Sequence, residues 1–281
     1  MLWEALRHLG LWVLHGALVW AALTNAVRPN KLGQSALVIS PHFDDETLGC
    51  GGTIARYRRN KAKVKVVFMT DGSRSHAGLI SEGELREIRA REALEAGKAL
   101  GVAEDDICRL GFPETRLKEH EARAVEAVTD LLFRFQPEQV FMPYRREPKL
   151  WSEDHQVTVR VVQAALARYN RPVTVYEYPI WFWYTWPWVS RTEGRERGRR
   201  AMLRTGLQVG AQLLRDGLIA VDIRDTLDQK QAALRQYRSQ MERLMPSPRW
   251  ATLGDVADGQ FLALFFRPYE YYHRWQWRPK F

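Results

Sequence analysis

Four short apolar runs, at residues 36–40, 64–70, 107–110 and 139–142, alternate along this chain with segments of helical pattern. Each run is too short for a helix and lacks the polar alternation of a half-exposed strand. Such runs read as strands buried on both faces. The helical patterns between and after them lie at 51–59, 82–100 and 119–135, with another from about His155 to Tyr169. Strands joined by helical crossovers must run parallel, and the crossovers share one hand. The alternation therefore predicts an α/β fold: a doubly wound, Rossmann-like, mostly parallel sheet with helices on both faces. Residues 173–178 and 218–223 are later strand candidates, and 226–241 reads as a closing helix. This architecture also says where chemistry belongs, because open α/β sheets build their sites outside the carboxyl ends of the strands.

The residues that fall there are chemically apt. The first run leads directly into Pro41-His-Phe-Asp-Asp-Glu46, which places His42, Asp44 and Asp45 on the following loop. An imidazole and a carboxylate are metal ligands, and a second carboxylate is free to act on water. A third ligand is needed. Of the seven histidines, at 8, 15, 42, 76, 120, 155 and 273, His155 is the best placed. It follows the fourth strand in Trp151-Ser-Glu-Asp-His155, where a crossover helix should begin, so the chain returns it to the same edge. Asp154 could cap that helix or orient an imidazole. The competing reading is helix-terminus chemistry alone, with Asp44 to Glu46 capping and charging the first helix. Thr70-Asp71-Gly72 closes the second strand at that edge, so Asp71 could line the site or only form a turn. The Gly49-Cys-Gly-Gly52 run lacks both dinucleotide and P-loop spacing. Its small residues are expected to let the first helix approach the site loop closely.

Composition narrows the setting. A 281-residue chain with 46% hydrophobic and 27% charged residues can build a large core. Two cysteines, Cys50 and Cys108, exclude a disulfide framework or a cysteine-rich zinc site. The net charge of +9 favours anionic partners, although no nucleic-acid motif accompanies it and no nucleic-acid role is assigned. Residues 9–23 are nearly all apolar but shorter than a bilayer span. They have no clear small-x-small cleavage site. Residues 1–30 thus read as an interfacial or short membrane-anchoring helix, against the alternative of a helix docked on the domain's own core. Residues 31–281 read as one domain carrying an aromatic and basic insertion at about 176–215. The aromatic run 176–188 can stack on sugars, face lipid or pack on the sheet. With the basic stretch 191–215 and the apolar N-terminus it suggests a side that faces an anionic membrane surface; the expected location is cytoplasmic, with membrane association through the N-terminal helix.

The motif set resembles one family, the PIG-L/LmbE-like zinc-dependent N-acetylglucosamine deacetylases. The signature [AP]-H-P-D-D-E appears as Pro41 to Glu46, with Phe43 in place of proline. Further blocks fall in order: Thr70-Asp71-Gly72, Arg89 to Glu92 with Leu100-Gly-Val102, Leu110-Gly-Phe-Pro-Glu114, Ser152-Glu-Asp-His155, and Asp222-Ile223 through Leu227, Lys230 and Ala233 to Ser239-Gln240. The resemblance implies Zn2+, or another divalent metal, held by His42, Asp45 and His155, with Asp44 as general base. It implies Arg89 and Glu114 near the sugar. One departure matters: the first histidine of the family's H-P-D-H block is Ser152 here, and serine is a poor general acid. Asp44 would then serve as both base and acid, or His76 or His273 would fill in from a loop. The expected activity is hydrolysis of the N-acetyl group of an N-acetylglucosamine-type sugar or glycoconjugate, lipid-linked if the terminal features meet a membrane. The alternatives are an amidase acting on a sugar-thiol conjugate, and a non-catalytic, metal-retaining carbohydrate- or lipid-binding protein.

Overall fold

The computed structural model describes residues 33–150, 152–185 and 218–279, with Gly16 alone before them. Apart from Gly16, the apolar segment 9–23 lies outside the described residues, as do the end of the aromatic run and the basic stretch 191–215. Among the described residues, no helix is long and apolar enough to cross a membrane.

The strands are β1 (Ser35–Ser40), β2 (Lys63–Thr70), β3 (Ile107–Phe112), β4 (Gln139–Pro143), β5 (Val173–Tyr178), β6 (Leu218–Asp222) and β7 (Tyr269–Trp277). The main helices are α1 (Asp45–Arg59), α2 (Glu82–Ala99), α3 (Glu121–Phe135), α4 (Asp154–Tyr169) and α5 (Leu227–Gln236). All seven strands form one sheet in the order β3-β2-β1-β4-β5-β7-β6. The first five pair in parallel, as the apolar runs predict, but β3 is an edge strand and is not buried on both faces: only Phe112 is buried and Arg109 is exposed. Strand β7 runs antiparallel to both β5 and β6. Its sequence, Tyr269-Glu-Tyr-Tyr-His-Arg-Trp-Gln-Trp277, gave no expectation of a strand. Its buried positions mix Glu270, Tyr272 and His273, and its partly exposed ones are aromatic, so no apolar run or clean alternation marks it.

Each face of the sheet has its own core. Helices α1, α2 and α5 cover one, around Val38, Ile54, Phe68, Ala93 and Leu234. Helices α3 and α4 cover the other, around Leu37, Val67, Val128, Val140 and Val162.

Three local features differ from the sequence expectation, and each bears on the site. Helix α1 starts at Asp45 rather than near residue 51, so the glycine run lies inside the helix. The glycines do allow close packing, but onto other partners than the site loop. A Cβ on Gly49 would fall 2.5 Å from the Tyr178 ring, and one on Gly52 2.6 Å from Ile223. The closing helix is broken at Tyr237 and resumes as a short turn, Arg238–Met241. That break turns the Tyr237 hydroxyl and the Gln240 amide toward the start of α1.

Candidate active site

The chain leaves β1 in both directions across the sheet: β2 and β3 lie to one side, β4 and β5 to the other. The crevice at this switch point opens between the carboxyl ends of β1 and β4. His42 and Asp45 follow β1, and His155 is the second residue of α4, which follows β4. Their ligand atoms converge, with one from each side chain lying within 4.8 Å of the other two. His42 Nδ1 is 3.4 Å and His155 Nε2 is 3.2 Å from the same oxygen, Asp45 Oδ2.

The donor set fits a divalent cation on a specific observation. His155 is 2% exposed, yet neither ring nitrogen makes a hydrogen bond. The 3.2 Å approach of Nε2 to Asp45 lacks hydrogen-bond geometry. Buried polar groups are normally satisfied, and an orphan costs about 1–3 kcal/mol. A cation that takes the Nε2 lone pair removes that cost. The second nitrogen of His42 is also provided for, since Nε2 lies 3.1 Å from Asp154 Oδ2. Asp154 further accepts from the backbone N–H groups of Thr115 and Leu117, at 2.7 and 3.3 Å. A carboxylate behind a ligating imidazole fixes its tautomer and ring orientation. Asp154 thus orients His42, its partner across the sheet edge, and not the adjacent His155.

The electrostatics follow from burial and these contacts. Burial opposes an imidazolium at His42, but the hydrogen bonds to Asp154 and Asp45 outweigh it and raise its pKa well above the ordinary value. Burial likewise opposes ionisation of Asp45, yet the neighbouring His155 and His42 hold its carboxyl below the usual range. Asp44 behaves oppositely. Burial, then the negative charges of Asp45 and Glu46, push its pKa well up. Glu46 is itself pushed up to about 7 by burial.

Asp44 is not a helix cap in the ordinary sense. It occupies the N-cap position, but its side chain makes no capping hydrogen bond. Its backbone sits at φ 109°, ψ −32°, which is costly for a residue with a Cβ. Such strain is of order 1–3 kcal/mol and collects at functional sites. Gln240 Nε2 donates both to the Asp44 carboxylate and to Phe43 O, which anchors the strained turn.

Comparison with known proteins places this arrangement. Residues 37–166 match the family described as PIG-L: GlcNAc-PI de-N-acetylase. This stretch is a PIG-L family domain. A diacetylchitobiose deacetylase from Thermococcus kodakarensis is 33% identical over 123 residues, covering 43% of this chain and 44% of that protein. A 4-oxalmesaconate hydratase from Pseudomonas putida is 27% identical over 142 residues, covering 48% of this chain and 53% of that one. The chain thus spans about half the length of the curated relatives it matches. The structure of N,N'-diacetylchitobiose deacetylase from Pyrococcus horikoshii superposes with a TM-score of 0.63 at 22% identity, covering 96% of this chain and 92% of the other. That likeness establishes the LmbE-like fold.

His42, Asp45 and His155 open into a cleft of about 460 Å³, lined both by the matched stretch and by residues beyond it such as Trp181 and Gln240. Of the residues singled out in the sequence, His42, Asp44, Asp45, His76, Arg89, Glu114, Ser152 and His155 line it. Arg89 Nη1 lies 3.5 Å from Glu114 Oε1 and donates to Gly72 O. Glu114 Oε2 accepts from the backbone N–H groups of Arg74 and Ser75, which ties the β2–α2 loop to the wall. Asp71 does not line the cleft. Its carboxylate is taken up by Ser73, Arg86 and the Glu114 N–H. Ser152 accepts from Asp154 N at 3.2 Å.

The two histidines named as replacements for the missing H-P-D-H histidine are both occupied. His76 Nε2 is 3.0 Å from Ala251 O, Nδ1 is 3.0 Å from Ser75 Oγ, and the ring stacks on Trp250. Burial also lowers its pKa. His273 is on β7 rather than on a loop. It contacts Arg145 and lies 3.5 Å from Glu177, and it does not line the cleft.

The sequence did not single out two residues of the cleft lining, Gln240 and Trp181, or Glu147, which lies outside that lining. Gln240 stood in a matching block, but nothing in the sequence revealed its contact with Asp44. Trp181 belongs to the aromatic run and lines the cleft beside His155. Glu147 carries no signal at all in its turn of Arg145, Arg146 and Glu147. Its buried carboxylate accepts from Ile180 N and Phe182 N, and burial pushes its pKa up to about 8.

Proposed function

We propose that this protein is a metal-dependent hydrolase that removes the N-acyl group, in its simplest form acetyl, from an amino sugar or glycoconjugate. The observation that carries this reading is the joint presence of a largely buried His-Asp-His set and a buried Asp44 with a strained backbone in one cleft. Zn2+ is the ion proposed for His42, Asp45 and His155, the N/O donor set that catalytic zinc takes with one position left open. Bound there, it would supply Lewis-acid polarisation of the amide carbonyl and acidify water.

The chain's own residues do the rest. Asp44, with its pKa raised by burial and by Asp45 and Glu46, takes the proton of the attacking water. The same carboxyl returns a proton to the leaving amine, since Ser152 cannot and both His76 nitrogens are engaged. Gln240 keeps Asp44 aimed into the cleft. Arg89 and Glu114 offer a donor and an acceptor to sugar hydroxyls on the same side. The deacetylase named among the relatives supports the acyl-removal reading, and the hydratase shows why the reaction must be measured.

The test is acetate release from N-acetylglucosamine and its β-linked disaccharide after zinc is restored, in wild type and Asp44→Ala. Turnover lost in the variant with metal retained supports the reading. No turnover in either protein, with metal bound in both, points instead to a metal-retaining binding protein.

A further inference from the structure

Two parts of the cleft lining differ in chemistry. One part of the lining, Asp44 and the Arg89–Glu114 pair, presents charged and polar groups. In the other part, Trp181, Leu253 and Val256 are partly exposed, pack together against the same core, and line the cleft with Leu150. This apolar wall begins at the ligand set itself, because the Trp181 ring lies edge-on to the His155 imidazole, 6.5 Å between centroids at 64°.

The apolar wall is held in place. Trp181 stacks on Phe261 with rings 4.9 Å apart and only 6° from parallel. The residues on either side of it, Ile180 and Phe182, donate their N–H groups to the buried Glu147 carboxylate at 2.6 and 3.0 Å. A tryptophan braced on its ring and on both flanking amides is a preformed surface. A pocket of this kind selects apolar substrate atoms.

Orientation follows from proton chemistry. The leaving amine must end beside the group that protonates it; Asp44 is held by Gln240, whereas Trp181 is the neighbour of His155. The sugar then lies with the amine at Asp44, and the acyl substituent runs toward His155 and Trp181. We propose that Trp181, Leu253, Val256 and Leu150 form an acyl subsite, so that the preferred substrate carries an N-acyl chain longer than acetyl. This rests on the amide-hydrolase reading above and deepens it.

The experiment compares kcat/KM for N-acetylglucosamine, N-hexanoylglucosamine and hexyl N-acetylglucosaminide with the zinc-restored full chain. Binding of the same three compounds to the Asp44→Asn protein is measured by calorimetry, a readout independent of turnover. Each methylene taken from water is worth roughly fourfold, so at least about a tenfold preference for the hexanoyl compound over the acetyl one is expected. That ratio should fall toward one in Trp181→Ala and also in Val256→Asn, a milder change at a partly exposed position. Turnover with no chain preference, a preference for the hexyl glycoside, or an undiminished preference in both variants would overturn the subsite and leave the hydrolase reading standing. Hexanoyl-selective binding without any turnover would sink the hydrolase reading and leave the subsite. Absence of both would overturn the two together.

Discussion

Helix α1 carries two buried polar clusters, one at its first turn and one at its middle, and they are built to different rules. At the middle, Lys230 and Glu270 form an ion pair at 2.8 Å with both side chains almost wholly buried. Every partner there is used. Glu270 accepts from Gly52 N, Thr53 N and the Tyr272 hydroxyl, while Lys230 also donates to Leu48 O. At the first turn, His42 and Asp45 are only partly compensated, His155 has no hydrogen bond, and Asp44 is strained. Both clusters join segments far apart in sequence, and both contain charges that burial penalises. A closed network needs nothing more and serves to fasten α1 to α5 and β7. An open one is complete only with a ligand. The difference separates structure from function within a few turns of one helix.

The sharpest way to break that distinction is Asp44→Asn. Losing a general acid–base should cost roughly 10²–10⁴-fold in kcat, while metal content and the thermal transition stay as in wild type. A parallel loss of fold would mean that Asp44 is structural. In wild type the acid limb of the pH–rate profile should lie above the usual carboxylate range. Asp44 works as a base only when ionised, and burial with Asp45 and Glu46 raises its pKa. Activity should therefore fall as pH drops through that raised value.

Lys230→Met tests the other cluster. It leaves Glu270 buried without its partner, and breaking such a pair costs roughly 3–5 kcal/mol. Chemical denaturation should show that loss, with metal stoichiometry of the folded fraction unchanged. A smaller effect is expected from metal itself. Zinc at about 100 times its Kd should stabilise wild type by about 2.7 kcal/mol, and Lys230→Met by the same increment. The smallest concerns Asp154→Asn. It keeps all three ligands but loosens His42, so metal affinity should drop roughly 10–100-fold. An unchanged affinity would remove Asp154 from the account.

Much of this was legible in the sequence, for identifiable reasons. Buried parallel strands are written as continuous apolar runs, and their carboxyl ends located His42, Asp45 and His155 before any geometry was known. Strand β7 was illegible because its interior face holds Glu270, whose burial makes sense only beside Lys230. The partners of Asp154 and Gln240 were equally hidden. Asp154 could have capped its own helix, and only the pairing of β1 with β4 brings it to His42 instead. Gln240 reaches Asp44 through a helix break at Tyr237 that no glycine or proline announces. Asp71 shows the reverse case, a residue at the right edge whose carboxylate is consumed by its own loop.

The claim that the first-turn cluster is open for a metal meets its most direct test in a zinc titration by calorimetry, on chelator-stripped wild type and His155→Ala. The account predicts one ion per chain in wild type and loss of that site in the variant, with circular dichroism unchanged. Equal stoichiometry and affinity in both proteins would contradict it.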